Sequence, residues 1–127
     1  MEQLLTLYKT QGRIAITLRA FPLGNDLCVV INGGAAHLGA VAVSQVRSSL
    51  ADPAALSSST SLITLFGHKE DRLAQQTAEH LSRALGKNVV TICGIHLDEI
   101  TPEEVRQVLQ LTEQLVEECL RRVRAGS

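Results

Sequence analysis

The chain has 127 residues, enough for one domain around a single core. Its formal charge is −1 and aromatic residues make up 2% of it, with no Trp, which argues against nucleic acid as a partner: that would call for a basic field or stacking platforms. No stretch approaches the roughly 20 apolar residues that span a bilayer, and Met1-Glu2-Gln3-Leu4-Leu5 is no signal-peptide start, so a reduced, cytoplasmic protein without membrane contact is expected.

Taken in chain order, residues 12–21 alternate, with Ile14, Ile16 and Leu18 on one face and Ala15, Thr17 and Arg19 on the other, the pattern of a half-buried strand. Leu23-Gly24-Asn25-Asp26 supplies a turn, and Leu27 to Ile31 returns as the second arm of a hairpin. After Gly33-Gly34-Ala35-Ala36-His37-Leu38-Gly39, Ala40 to Val46 reads as a third strand. The Ser-rich stretch from Arg47 to Ser61, punctuated by Asp52-Pro53, reads as a flexible loop or lid. Leu62 to Phe66 is a short apolar strand, and Leu73, Ala74, Ala78, Leu81 and Leu85 recur at helical spacing over about Glu70–Leu85. Gly86 stops that helix. Val89 to Cys93 is nearly all apolar and reads as a strand buried on both faces.

The last helix has the clearest start. Thr101-Pro102-Glu103-Glu104 combines an N-cap, Pro at the first helical position and the Glu of a capping box. Val105, Val108, Leu109, Thr112, Leu115, Val116, Cys119, Leu120 and Val123 then form one stripe. Together these elements predict a single α/β (α+β) domain over 1–127: a mixed, largely antiparallel β-sheet of about five to six strands packed with two main helices.

Three of the four histidines fall in Gly-containing turns at strand ends: His37 in the turn from Gly33 to Gly39, His68 in Gly67-His68-Lys69-Glu70-Asp71, and His96 in Gly94-Ile95-His96-Leu97-Asp98. Ligands of α/β sheets collect outside the carboxyl ends of strands, so at least two of these turns are expected to share a site. Gly67 and Lys69 stand where a strand hands over to a helix N-terminus, a place that favours a phosphate or carboxylate. A lone turn histidine more often bonds nearby backbone, and His80, mid-helix and opposite the apolar face, is given no role.

Catalytic alternatives find less support. Cys28, Cys93 and Cys119 form no CxxC pair and sit in apolar runs, as buried thiols do. Neither HxxxH, HExxH nor GxSxG occurs, although a metal site assembled from distant loops with Asp71 or Asp98, or acid–base chemistry by His37 or His96 with Asp98, remains open.

The words Gly33-Gly34-Ala35-Ala36-His37-Leu38-Gly39-Ala40-Val41-Ala42, Gly67-His68-Lys69-Glu70-Asp71 and Gly94-Ile95-His96-Leu97-Asp98, in this order, resemble the LpdD-like prenylated-flavin chaperone family. The resemblance runs from about Gly12 to Leu120; Phe66, before the second word, departs from the pattern. It implies a fold similar to dimeric proteasome-assembly chaperones and a non-enzymatic partner of UbiD-like decarboxylases that handles prenylated FMN or FMN. On that reading Gly33, Gly34 and Gly39 shape one wall, Gly67, His68 and Lys69 meet the phosphate, and His37, His96 and Asp98 contact the ring or tail. A homodimer is expected, since the chain is small and lacks aromatic core filler, with the last helix or a sheet edge able to serve an interface if the chain grips a partner. The competing expectation is an assembly factor that grips a partner protein and takes no small molecule.

Overall fold

Alternation decides which side of the sheet is covered. In β2 (Ile14–Leu23), Ile14, Ile16, Leu18 and Ala20 are buried and the residues between them are only half-buried. The same phase continues through β3 (Asp26–Gly34) with Leu27, Val29 and Ile31, so one face of the sheet carries the core. This is a computed structural model of the chain, describing residues 5–35, 37–52, 54–65 and 70–126.

β1 (Leu5–Gln11) pairs antiparallel with β2, and β2 with β3. β4 (Ala40–Ser48) lies two places beyond β3 and forms a hairpin with β5 (Leu56–Thr64). The chain then returns through α1 (Glu70–Leu85), and β6 (Val89–His96) fills the gap, parallel to β3 and antiparallel to β4. The open sheet has the order β1-β2-β3-β6-β4-β5, the mixed, largely antiparallel six-stranded sheet with two helices that the patterning predicts. α2 (Pro102–Ala125) closes the chain. α1 packs on β4, β5 and β6, α2 packs on β1 and β2, and the helices touch each other. His80 marks that contact: its Nε2 lies 2.7 Å from Glu117 Oε1 on α2.

The strand over 5–11 was not expected, and the Ser-rich stretch is no lid. Ser57–Ser61 pair with β4, with Ser44 and Thr60 hydroxyls 3.1 Å apart and Arg47 donating to Ser59 Oγ, so the connection shrinks to residues 49–55. Because β4 runs against β3 and β6, that connection lies at the opposite edge of the sheet from the ends of β3 and β6. It cannot close over them. A polar sequence suits an edge strand, which must not invite further pairing. Nor is β6 buried on both faces: Val89, Thr91 and Cys93 are buried, whereas Val90 and Ile92, on the side away from the helices, are half-buried. Among the described residues, no helix is long and apolar enough to cross a membrane.

Most of the stripe on α2 is spent inside the chain, with Val108, Leu115, Val116, Cys119, Leu120 and Val123 buried beside Leu111, while Val105 is half-buried and Leu109 stays exposed. Two hydroxyls in this core, Thr91 Oγ1 and Thr112 Oγ1, find no hydrogen-bond partner among the described residues. A buried unsatisfied polar group costs about 1–3 kcal/mol, and valine reproduces the shape of threonine without it. Thr91→Val should therefore raise the melting temperature by about 3–6 °C, following roughly 1 kcal/mol of stabilisation. Thermal unfolding followed by circular dichroism checks this; an unchanged or lower midpoint would mean that the hydroxyl is bonded.

Candidate functional site

The topology brings the turns to one edge. β3 and β6 are parallel, and β5, antiparallel to β4, runs the same way as β6, so all three strands end together. α1 and α2 begin at this edge as well. Backbone hydrogen bonds tie the converging loops: Ala35 N–H to the His96 carbonyl (3.1 Å), Gly39 N–H to the Cys93 carbonyl (3.0 Å) and Leu65 N–H to the Gly39 carbonyl (2.9 Å). Two of the glycines are dictated by this crossing. Gly34 has φ +64°, and a Cβ there would strike the His96 carbonyl. At Gly94 a Cβ would collide with the carbonyl of His37.

Gly33, Gly34 and Gly39, expected as a ligand wall, each have protein atoms where a Cβ would stand. A Cβ at Gly33 would lie 2.7 Å from the Ala15 carbonyl, and one at Gly39 2.8 Å from Glu70 Oε2. His37 and His96 do come together, their rings 5.9 Å apart and nearly perpendicular. Both ring nitrogens of His37 face oxygen: Nε2 is 3.2 Å from Glu70 Oε1 and Nδ1 3.4 Å from the Ala35 carbonyl. Glu70 also accepts from Ile95 N–H (3.3 Å), and its side chain is only 13% exposed. His96 Nε2 lies 3.0 Å from the carboxylate of Asp98, which is itself exposed. Gly67, His68 and Lys69 lie outside the described residues, although the flanking Leu65 and Glu70 both sit at this edge.

Beneath the histidines opens a cleft of about 330 Å³ on the helix side of the sheet. His37, Glu70 and His96 give it a polar side, and Leu73 of α1, Ile95, Leu97 and Ile100 around the end of β6, and Val105, Val108 and Leu109 of α2 line the rest with aliphatic carbon. Sequence reasoning left Glu70 and these aliphatic residues out of the site. Glu70 is the fourth residue of the Gly67-His68-Lys69-Glu70-Asp71 word, the one available signal. The aliphatic positions fall on ordinary helical stripes, which look the same whether they face a core or a cleft.

The thiols are unsuited to nucleophilic work. Burial, with the Glu70 carboxylate adding to it, pushes Cys93 up to about 12, and burial pushes Cys119 up to about 11. Cys28 is raised by burial too. Among the described residues no three His, Cys, Asp or Glu side chains gather as metal ligands.

The α2 end of the cleft is fixed from outside. Thr101 Oγ1 accepts from Glu104 N–H (3.1 Å) while Glu104 Oε1 accepts from Thr101 N–H (3.1 Å), the capping box expected from the sequence. Arg13, in the β1–β2 turn, grips Glu104 with Nε (2.6 Å) and Nη2 (2.9 Å) and also donates to the Asp98 carbonyl (2.8 Å).

An aliphatic cleft with histidine and carboxylate side chains in its lining lies at the strand-end edge of an α+β sheet, and among the described residues the thiols near it are buried and neutral. The chain belongs to the prenylated flavin chaperone LpdD-like family, whose model matches residues 10–124. No curated protein matches it. Among solved structures it is similar to a chain of a chaperone complex for yeast 20S proteasome assembly, at 14% identity and a TM-score of 0.55, covering 93% of this chain and 96% of that one. That likeness is one of fold.

The Arg13–Glu104 pair makes the α2 end pH-dependent. The Arg13 hydrogen bonds, then those from Thr101, lower the Glu104 carboxyl from its ordinary 4.5 to about 2. A carboxyl lowered on folding adds stability that is fully present above about pH 4.5 and is lost as pH falls toward 2. Glu104→Gln should unfold at lower temperature than the parent at pH 7, with the gap closing as pH drops from 4.5 to 2. A gap that stays constant across that window would remove the ion pair as its cause; paired melting curves at each pH decide.

Proposed function

We propose that this protein is a non-enzymatic chaperone that holds prenylated FMN, or FMN itself, and serves as the maturation partner of a UbiD-like decarboxylase. The observation that carries this reading is the convergence of His37, Glu70 and His96 on one aliphatic cleft in a chain of the prenylated flavin chaperone family. The cleft takes apolar parts of the ligand, and His37, His96 and Asp98 meet its polar groups. Gly67, His68 and Lys69 receive the phosphate as the chain enters α1. The first turn of α1 already carries Glu70 and Asp71, which answer the helix dipole, so a phosphate there needs the charge of Lys69. Neutral, buried Cys93 and Cys119 and histidines already paired with Glu70 and Asp98 suit binding better than turnover.

Lys69→Ala tests the phosphate contact. Loss of a charge-assisted bond of roughly 1.5–3 kcal/mol should weaken FMN binding about ten- to a hundredfold, with riboflavin unaffected and stability changed by less than about 0.5 kcal/mol. Isothermal titration of both flavins gives the answer; equal FMN affinity in mutant and parent would remove Lys69 from the site.

The assembly reading shifts from the helix to the sheet. Since most of α2's stripe is spent within the chain, the large apolar surface still uncovered is the sheet face away from the helices, where Phe21, Cys28, Val30, Val41, Val43, Val90 and Ile92 fall by register. Strands about 4.8 Å apart give this face on the order of 600–800 Å², close to the roughly 800 Å² per partner of a standard interface. Arg19 there donates to Asn32 and Arg47 to Ser59; both keep their charge, so the interface must leave these two guanidinium groups at its wet rim. A second copy packed face to face across a two-fold axis is the proposed occupant. Val43, 48% exposed, can change without disturbing the core, and Val43→Asp should convert a dimer to a monomer in sedimentation at micromolar concentration. A monomeric parent, or a variant that stays dimeric, would refute this interface.

A further inference from the structure

We propose that residues 97–101 form a strap that gates the cleft, and that Arg13, which does not line the cleft, is its latch. The strap joins His96, the last residue of β6, to Thr101, the N-cap of α2. Its Leu97 and Ile100 side chains line the cleft, so the strap is one of the walls. Both ends are pinned. The His96 carbonyl accepts from Ala35 N–H (3.1 Å), and the capping box holds Thr101 to Glu104. Between them, among the described residues, the backbone of Leu97–Ile100 takes part in a single hydrogen bond, from Arg13 Nη2 to the Asp98 carbonyl (2.8 Å). The same guanidinium donates to Glu104 through Nε and Nη2, so one side chain from the β1–β2 turn fixes both the middle of the strap and the helix after it. The Asp98 carboxylate reaches no farther than His96, at the root of the strap. Nor is the closed turn one that its residues prefer: Glu99 sits at φ +49°, in the left-handed region that side chains with a Cβ seldom enter. Asp98, Glu99 and Ile100 are exposed, so an outward swing uncovers chiefly Leu97 and breaks no bond of the sheet or of α2. What holds the strap shut is the fork of Arg13, whose side chain is 48% exposed, and an exposed charge pair is a weak tie. Segments so lightly held open locally on microsecond to millisecond timescales. The gate serves whatever ligand the cleft holds; only the FMN arm of its test rests on the flavin reading above.

Because Arg13 stands outside the cleft, losing its fork speeds entry and exit alike and leaves affinity nearly unchanged. A residue that merely supports the bound state changes dissociation and affinity instead. The test compares the full-length parent with Arg13→Gln, Glu104→Gln and the double variant, well below their melting temperatures. Amide exchange followed by NMR should quicken about three- to tenfold at Thr101, Glu104 and Val105 in each variant, while the amides of β2 keep the parent's rate. In stopped-flow mixing with FMN as the probe, association and dissociation rate constants should rise together by about that factor, with the dissociation constant within about twofold. The double variant should be no faster than the faster single one, since both break the same tie. Arg13→Lys, which keeps the charge without the fork, should fall between parent and Arg13→Gln. Unchanged exchange at those three amides, or an equal rise in β2, would overturn the latch. So would faster dissociation without faster association. A folded parent that binds no FMN would overturn the flavin reading, and the exchange measurement would then decide the latch by itself.

Discussion

β6 reaches its place between β3 and β4 because the chain leaving β3 crosses its final residues at a point without a side chain. The His37 carbonyl occupies the space of a Gly94 Cβ, and Gly34, turned to positive φ, brings its own Cα against the His96 carbonyl. With that crossing, β6 lies parallel to β3 and antiparallel to β4, and β3, β5 and β6 must all end at one edge. The two helix N-termini follow, since each helix adjoins one of those strand ends. A Cβ at Gly94 would push the crossing away from β6, and with it the contact between His37 and Glu70 on the polar side of the cleft.

Glu70 is the second organising element. A carboxylate so nearly covered loses hydration and needs partners, which it finds in Ile95 N–H and His37 Nε2. The close approach of Gly39 leaves room for it, since a Cβ there would press on both carboxylate oxygen and carbon. Its charge also helps to keep Cys93, beneath it, a neutral thiol. Two of the Gly–His words thus have a large structural part: Gly34, Gly39 and Gly94 admit backbone and carboxylate, and His37 and His96 are held by acids. The cleft they border is lined mainly by aliphatic side chains.

This explains what was legible beforehand. Helices showed themselves through period and caps, and α2 begins at Pro102 behind a Thr101–Glu104 capping box, as its residues dictate. The meeting of His37 and His96 was readable because both follow strands whose ends share an edge. Only the end of β5, from Leu62, was legible, since Leu56-Ser57-Ser58-Ser59-Thr60-Ser61 offers no apolar alternation; that part is a strand because β4 gives it a partner on one side. β1 was hidden similarly: only Leu5 and Leu7 show the inward phase before Lys9, and Tyr8 is 63% exposed on the opposite side. Glu70, Val105 and Leu109 could not be distinguished from helix-start and stripe residues, because the void between two helices is set by their relative placement and not by either sequence.

The two sides of the sheet differ in what covers them. The cleft lies on the helix side, between Leu73 of α1, Val105 and Val108 of α2 and Ile95 of β6, whereas the uncovered apolar face is the reverse of the same strands. Sheet-on-sheet packing, with the two layers about 10 Å apart, would bury that reverse face and touch none of the cleft's lining. A two-fold pair built this way presents two clefts, each complete within one chain and each opening at its own strand-end edge. Loading one copy then changes no contact made by the other, so binding to the pair should be non-cooperative, because a ligand couples two sites only through an element whose state both of them alter.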